Sequence, residues 1–176
     1  MDLCRIAPLP VCASVTSAAG DDIYRDGREL AKISDQILVQ VPLIEEAMTS
    51  IRRLRADGVR VVATLVHTAT QAVLGAKAGA FMVQLAVNQL DESGYDGTAV
   101  VGDVCTIFRR HDIECDVMAA HPQHAAQFAQ CAHAGADVAA VTPDALRNLL
   151  VHPLTDRGVE QLVRRASGPL RPRAAV

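Results

Sequence analysis

Short apolar runs alternate along the chain with longer stretches whose apolar positions recur every three or four residues. The short runs read as strands at 11–15, 37–41, 59–66, 81–87, 116–120 and 138–141. The longer stretches read as helices at 22–33, 44–56, 68–78, 98–111, 122–134, 143–151 and 155–165. Pro42 ends the second strand, and Asp57-Gly58 supplies a turn before the third. Gly79 stands where a helix end needs the left-handed conformation, and the last two helices open on Pro or Thr. Residues 88–97 carry Asp91, Ser93, Gly94, Asp96 and Gly97 and read as a loop.

Strands of four to eight residues alternating with longer helices predict consecutive βα units around a parallel sheet. Six such strands are counted. A full (βα)8 barrel typically needs about 250 residues, and this chain has 176. Periodicity alone separates a reduced barrel poorly from an open doubly wound sheet. No GxGxxG follows the first strand, and no glycine-rich loop ends in GK[ST], which argues against dinucleotide and P-loop readings. The expected organisation is one domain over 1–166 and a loose tail over 167–176, rich in Pro, Arg and Ala.

Half of the residues are hydrophobic and only 3% are aromatic, so the core is built from Ala, Val, Leu and Ile, the usual material of a covered parallel sheet. A net charge of -3 gives no case for nucleic acid or anionic membrane. No apolar run reaches the roughly 18 residues of a membrane span, and the first ten residues lack the pattern of a signal peptide. Five cysteines without CxxC spacing read as reduced thiols of a cytoplasmic protein, with Cys12 in a buried strand. Lys32 and Lys77 are the only lysines.

Five segments in order carry a family resemblance. They are Gln36-Ile37-Leu38-Val39-Gln40-Val41-Pro42, Ala63-Thr64-Leu65-Val66, the stretch from Gln71 to Ala80, Val87-Asn88-Gln89-Leu90-Asp91, and the run from His152 to Gly158. Together they resemble the small bacterial-type transaldolases and fructose-6-phosphate aldolases, in register from about Pro10 to Arg165. The resemblance implies a TIM-type (βα)8 barrel derivative, shortened at the N-terminus to about six βα units that correspond to the third through eighth. It also implies site positions. Gln40 stands where the family's Schiff-base lysine closes a strand, in a pattern like Ile-Val-Val-Lys-Val/Ile-Pro. The catalytic tyrosine aligns with Ala86, the phosphate-binding arginine with Gln89, and the phosphate-binding serine with His121. A polar strand residue aligns with Ser14, and the threonine that helps position water is kept as Thr64. An amide nitrogen is no nucleophile toward a ketone and forms no iminium. Lys32 and Lys77 fall before strands, on the barrel end that usually serves stability.

Other constellations have plainer readings. His67 and His121 follow strands on the face where a barrel keeps its site, where Cys12, Ser14, Gln40, Thr64 and Gln84 could approach them. A repurposed histidine acid/base pocket is one reading; ordinary polar strand-end residues are preferred, because no base–nucleophile–orienter set is legible. His121 and His124 share a helix face, but neither HExxH nor a zinc spacing is present, and no metal or other cofactor is expected. Gln40 and Gln84 would either bind a neutral polyol or amide, or keep hydrogen bonds satisfied where charges once stood; both readings stand. Asp91, Glu92, Asp96 and Asp103 read as a solvated loop and helix start.

The expected function is a transaldolase-like protein without the Schiff-base lysine, a non-catalytic binding or assembly protein linked to sugar-phosphate metabolism. Its vestigial pocket is Ser14, Gln40, Thr64, Ala86 and His121, with candidate ligand contacts at Gln40, Gln84, Gln89 and His121. The alternatives are a diverged enzyme using His67 or His121 without lysine, a residual aldolase or transaldolase, and a decayed gene or one whose first units lie upstream. The partners expected are copies of itself or another protein covering the absent barrel quarter, with room for a small polar ligand. The segment 3–6 is expected to fold back over one sheet edge.

Overall fold

The computed structural model describes residues 9–166 together with Cys4 and Ile6. The expected tail at 167–176 lies outside the described residues, as do Leu3 and Arg5 of the segment expected to cover an edge; Cys4, like Val11 and Ala13, packs against the cluster of Ile23, Val39 and Ile51. The chain divides into two compact units, with the boundary after Val141.

The first unit holds a six-stranded parallel sheet in sequential order: β1 (Val11–Ser14), β2 (Ile37–Pro42), β3 (Val61–Val66), β4 (Met82–Ala86), β5 (Asp116–Ala120) and β6 (Val138–Ala140). Helices α1 (Gly20–Ala31), α2 (Ala47–Ala56), α3 (Ala69–Ala78), α4 (Val87–Glu92), α5 (Gly97–Arg110) and α6 (Ala125–Ala134) connect successive strands. This is the expected barrel-type succession of βα units, in which β1 and β6 are edge strands.

Alternation along each strand sorts its side chains to two faces. Val39 and Val41 pack with Ile23, Ile51 and Leu54 of α1 and α2. Val83, Leu85, Val117 and Ala119 pack with Val101, Val104 and Phe108 of α5. The opposite, concave face holds a smaller cluster of Leu38, Val62, Met82 and Met118. Each fully buried Val, Leu or Ile is worth about 1.5–3 kcal/mol, so the sheet is held chiefly by its helix-covered side. Cys12 corrects the sequence reading: it is exposed, because its edge strand alternates between half-buried and exposed positions.

Local signals hold well at α3. Thr68 and Gln71 form a capping box, and Gly79 closes the helix at φ 105°. The expected loop 88–97 is overturned in its first half, since α4 begins directly after β4. The expected helix from 122 starts only at Ala125, where His124 caps it.

The second unit holds α7 (Pro143–Asn148) and α8 (Pro153–Ala166). Thr142 caps α7, its Oγ1 accepting from the Ala145 N–H at 3.2 Å. On α8, Leu154, Val159, Leu162 and Val163 recur at helical spacing and are exposed. No helix among the described residues is long and apolar enough to cross a membrane.

Candidate active-site mouth

In a barrel of βα units, chemistry sits at the C-terminal ends of the strands. There the sheet register puts Ser14 of β1 beside Gln40 of β2. Ser14 Oγ donates to Gln40 Oε1 at 2.7 Å, and Gln40 Nε2 donates to Gln84 Oε1 at 3.1 Å. Gln40 and Gln84 stand on strands separated by β3. Adjacent strands lie about 4.8 Å apart, so two long amides span a two-strand step across the concave face. The result is a neutral relay over β1, β2 and β4.

The other expected positions distribute around it. Thr64, half-buried on β3, is in register with Pro42. Ala86 ends β4, is 7% exposed, and pairs in register with Ala120. His121 follows β5 in the left-handed region at φ 60°, exposed, its N–H donating to Ala140 O at 2.8 Å. His67, after β3, lies 3.2 Å through Nε2 from Gln89 Oε1. An amide oxygen only accepts, so Nε2 carries the hydrogen. The structure thus joins Ser14, Gln40 and Gln84 in one group, and His67 with Gln89 in a second. Among the described residues no hydrogen bond links the groups, and His121 belongs to neither.

Sequence reasoning missed a third feature. An open cavity of about 480 Å³ is lined by His67, Gln89, Leu90, Glu92, Ser93 and Tyr95. Tyr95 escaped notice altogether. A signal was present: Gly94 stands at φ 83° after α4, the Tyr95 N–H reaches back to Leu90 O at 2.9 Å, and the Gly94 N–H reaches Asp91 O at 2.9 Å. This is a Schellman ending, which D-E-S-G-Y spells after a leucine. Asp91 belongs to α4 and not to a loop; it is exposed, yet both carboxylate oxygens are engaged. Its Oδ1 accepts from the Gly97 N–H at 2.8 Å and its Oδ2 from Gln127 Nε2 of α6. Ahead of His67, the β3–β4 register slips between Ala63 and Val66, and Leu65 sits at φ 58°. A leucine there is strained by about 1–2 kcal/mol.

A family model for Transaldolase/Fructose-6-phosphate aldolase matches residues 2–169. A probable transaldolase of Herpetosiphon aurantiacus is 38% identical over 160 residues, covering 91% of this chain and 72% of that protein. Probable transaldolases of Bdellovibrio bacteriovorus and Methanococcus maripaludis are 33% and 35% identical over 162 residues, covering 92% of this chain and 75% of each relative. The chain belongs to the transaldolase/fructose-6-phosphate aldolase family.

This family member keeps its lysines away from the mouth. Lys32 immediately follows α1 and pairs with Glu29 at 2.5 Å; Lys77 is in the last turn of α3; both are exposed. These helix ends lead into the starts of β2 and β4, at the opposite end of the sheet. The expected H-x-x-H pair resolves into a cap, since His124 Nδ1 accepts from the Gln127 N–H at 3.2 Å. Among the described residues no three His, Cys, Asp or Glu side chains gather to hold a metal.

At the opposite end several groups are raised above their ordinary values. A second cavity, of about 470 Å³, is lined there by Cys105, Arg109, Asp112, Cys115, Asp116 and Asp137 among others. Burial, then Asp116 and Asp137, pushes the Cys115 thiol up to about 12. Burial, then Asp137, pushes Cys105 up to about 11. Burial, then Asp137, raises the Asp116 carboxyl above its ordinary range.

Proposed function

We propose that this family member runs no lysine-dependent aldol chemistry and serves in the cytoplasm as a binding or assembly protein linked to sugar-phosphate metabolism. The observation that carries the reading is the neutral Ser14–Gln40–Gln84 relay, built at the position where the family resemblance calls for a Schiff-base lysine. An amide already committed to two hydrogen bonds offers neither nucleophile nor electron sink. With both lysines at the far ends of helices, no lysine stands at the mouth to replace it. Borohydride trapping with dihydroxyacetone or fructose 6-phosphate, read by intact mass spectrometry, tests this. The unmodified mass is expected; a reduced adduct on Lys32 or Lys77 sinks the reading.

Assembly, with copies of itself or with another chain, is part of the same proposal. Two observations support it: β1 and β6 leave edges that invite pairing, and α8 exposes an apolar stripe at helical spacing. Light scattering on a sizing column at micromolar concentration is expected to give a mass above that of one chain. A stable, folded monomer with no partner contradicts it.

A second reading, a diverged enzyme, is favoured by His67, which stands at a strand end beside a cavity. Its bond to an amide gives it an orienter, and among the described residues no nucleophile is hydrogen-bonded to it.

A further inference from the structure

We propose that the cavity between the β3–α3 turn and the α4–α5 connection binds an unphosphorylated, uncharged polyhydroxylated ligand, a free sugar or polyol. This goes beyond the function proposed above and does not depend on whether lysine chemistry is lost.

The chemistry of the walls selects the class. Tyr95, 66% exposed, presents an aromatic face and a phenol. Aliphatic C–H faces of a sugar ring or polyol chain pack on such a surface while their hydroxyls point to polar groups. Those groups are present at the rim in both senses. Gln89 accepts from His67 through Oε1, which leaves its Nε2 as a donor. The same bond fixes the imidazole so that Nδ1 is its second polar atom. Ser93 supplies a hydroxyl and Glu92 a carboxylate, each suited to a ligand hydroxyl.

Charge excludes the alternative. Among the described residues neither Lys nor Arg lines the cavity, and Glu92 puts a negative charge in its wall. A phosphoryl group would meet a carboxylate with no guanidinium to hold it bidentately. A neutral polyol meets no such repulsion.

The site is held in place before any ligand arrives. The Schellman ending fixes Tyr95 relative to Leu90, which is itself 4% exposed. Asp91 clamps the same connection to Gly97 and to Gln127, a buried residue of α6. On the opposite side stands His67, two residues after Leu65, whose left-handed backbone follows the β3–β4 register shift. Strain of that kind collects where structure over-determines a functional position. Prior ordering lowers the entropy cost of binding.

The test is titration calorimetry on the full chain with ribitol, fructose and fructose 6-phosphate, backed by saturation-transfer spectra. Ribitol or fructose is expected to bind at least about tenfold more tightly than fructose 6-phosphate. Tyr95→Ala is expected to weaken the neutral ligand about tenfold or more with an unchanged circular dichroism spectrum. Gln89→Arg, which adds a guanidinium to the same wall, is expected to shift the preference toward fructose 6-phosphate. Absence of neutral-ligand binding, equal or tighter binding of the phosphorylated sugar to the wild-type chain, or indifference to Tyr95→Ala overturns the proposal. Should Tyr95→Ala fold poorly, Tyr95→Leu keeps bulk without the aromatic face, and retention of full affinity in that variant overturns the proposal equally.

Discussion

The two ends of the sheet differ in the kind of polar group they hold. At the C-terminal ends, Ser14, Gln40, Gln84, Thr64 and Gln89 are neutral, and the bonds among them and His67 run from hydroxyl to amide, amide to amide and imidazole to amide. At the N-terminal ends stand the perturbed thiols Cys105 and Cys115, the raised carboxyl of Asp116, and the helix ends bearing Lys32 and Lys77. Perturbed titration usually marks the working site. Here desolvation and the Asp116–Asp137 pair account for it, at the end that a barrel reserves for stability. The difference teaches that a shifted group is evidence of burial first and of catalysis only when its position agrees.

The largest effect that would sharpen the contrast concerns the thiols. Thiols raised to about 12 and about 11 hold roughly a thousandth and a hundredth of the thiolate of an ordinary cysteine at neutral pH. Iodoacetamide labelling followed by peptide mass spectrometry should therefore find both Cys115 and Cys105 much slower than free cysteine, Cys115 the more so. Rapid alkylation of either would assign real reactivity to the wrong end.

Next in size is the clamp beneath the mouth. Asp91→Ala strips Gln127 Nε2 and the Gly97 N–H of their acceptor. An unsatisfied buried donor costs about 1–3 kcal/mol, and a chain of this length loses about 2–4 °C in Tm for each. Thermal unfolding that leaves Tm in place would show that water takes over the bonds. Gln40→Met keeps the length of the side chain and removes both relay bonds, for an expected loss of about 1 kcal/mol in urea denaturation. An unchanged midpoint would make the relay a surface accident.

Smaller still is Asp116→Asn, and its sign is opposite. The folded state holds the Asp116 proton to higher pH than the unfolded state does, because burial and Asp137 disfavour the charge. Folded chains therefore bind more protons across the window from the ordinary carboxylate value up to the raised one, and stability falls as pH rises through it. The variant should show a slightly higher Tm at neutral pH, a gain absent below the ordinary carboxylate range. A gain that persists in strong acid would have another cause. The smallest expected effect is none: Gln40→Lys should leave retro-aldol cleavage of fructose 6-phosphate at the wild-type background, since Ala86 supplies no phenol beside it. Cleavage well above that background would mean the mouth is nearer to activity than its neutral bonds indicate.

Much of the fold was legible in the residues. Ile37, Val39 and Val41 form a buried run in β2, and Thr68, Gln71 and Gly79 spell the two ends of α3. Boundaries failed where side chains outvoted periodicity. His124 caps the helix that was expected to start at Pro122, and the chain turns helical directly at Val87, which itself packs in the core while Leu90 one turn on is buried. Cys12 misled because an apolar residue in a strand reads as buried, whereas an edge strand leaves alternate positions open.

By itself the sequence determined the succession of βα units, the family, the scarcity of lysine and the presence of Gln40 at a strand end, because each is written in local composition or in order along the chain. Only the tertiary structure decided which side chains meet. Ser14, Gln40 and Gln84 are 26 and 44 positions apart and are joined by register and by the curvature that carries two amides over β3. Tyr95 faces the same cavity as His67 because a left-handed glycine, an aspartate clamp and a bulge turn two separate loops toward each other. Contacts of that kind depend on sheet geometry summed over several strands, and no window of the sequence contains it.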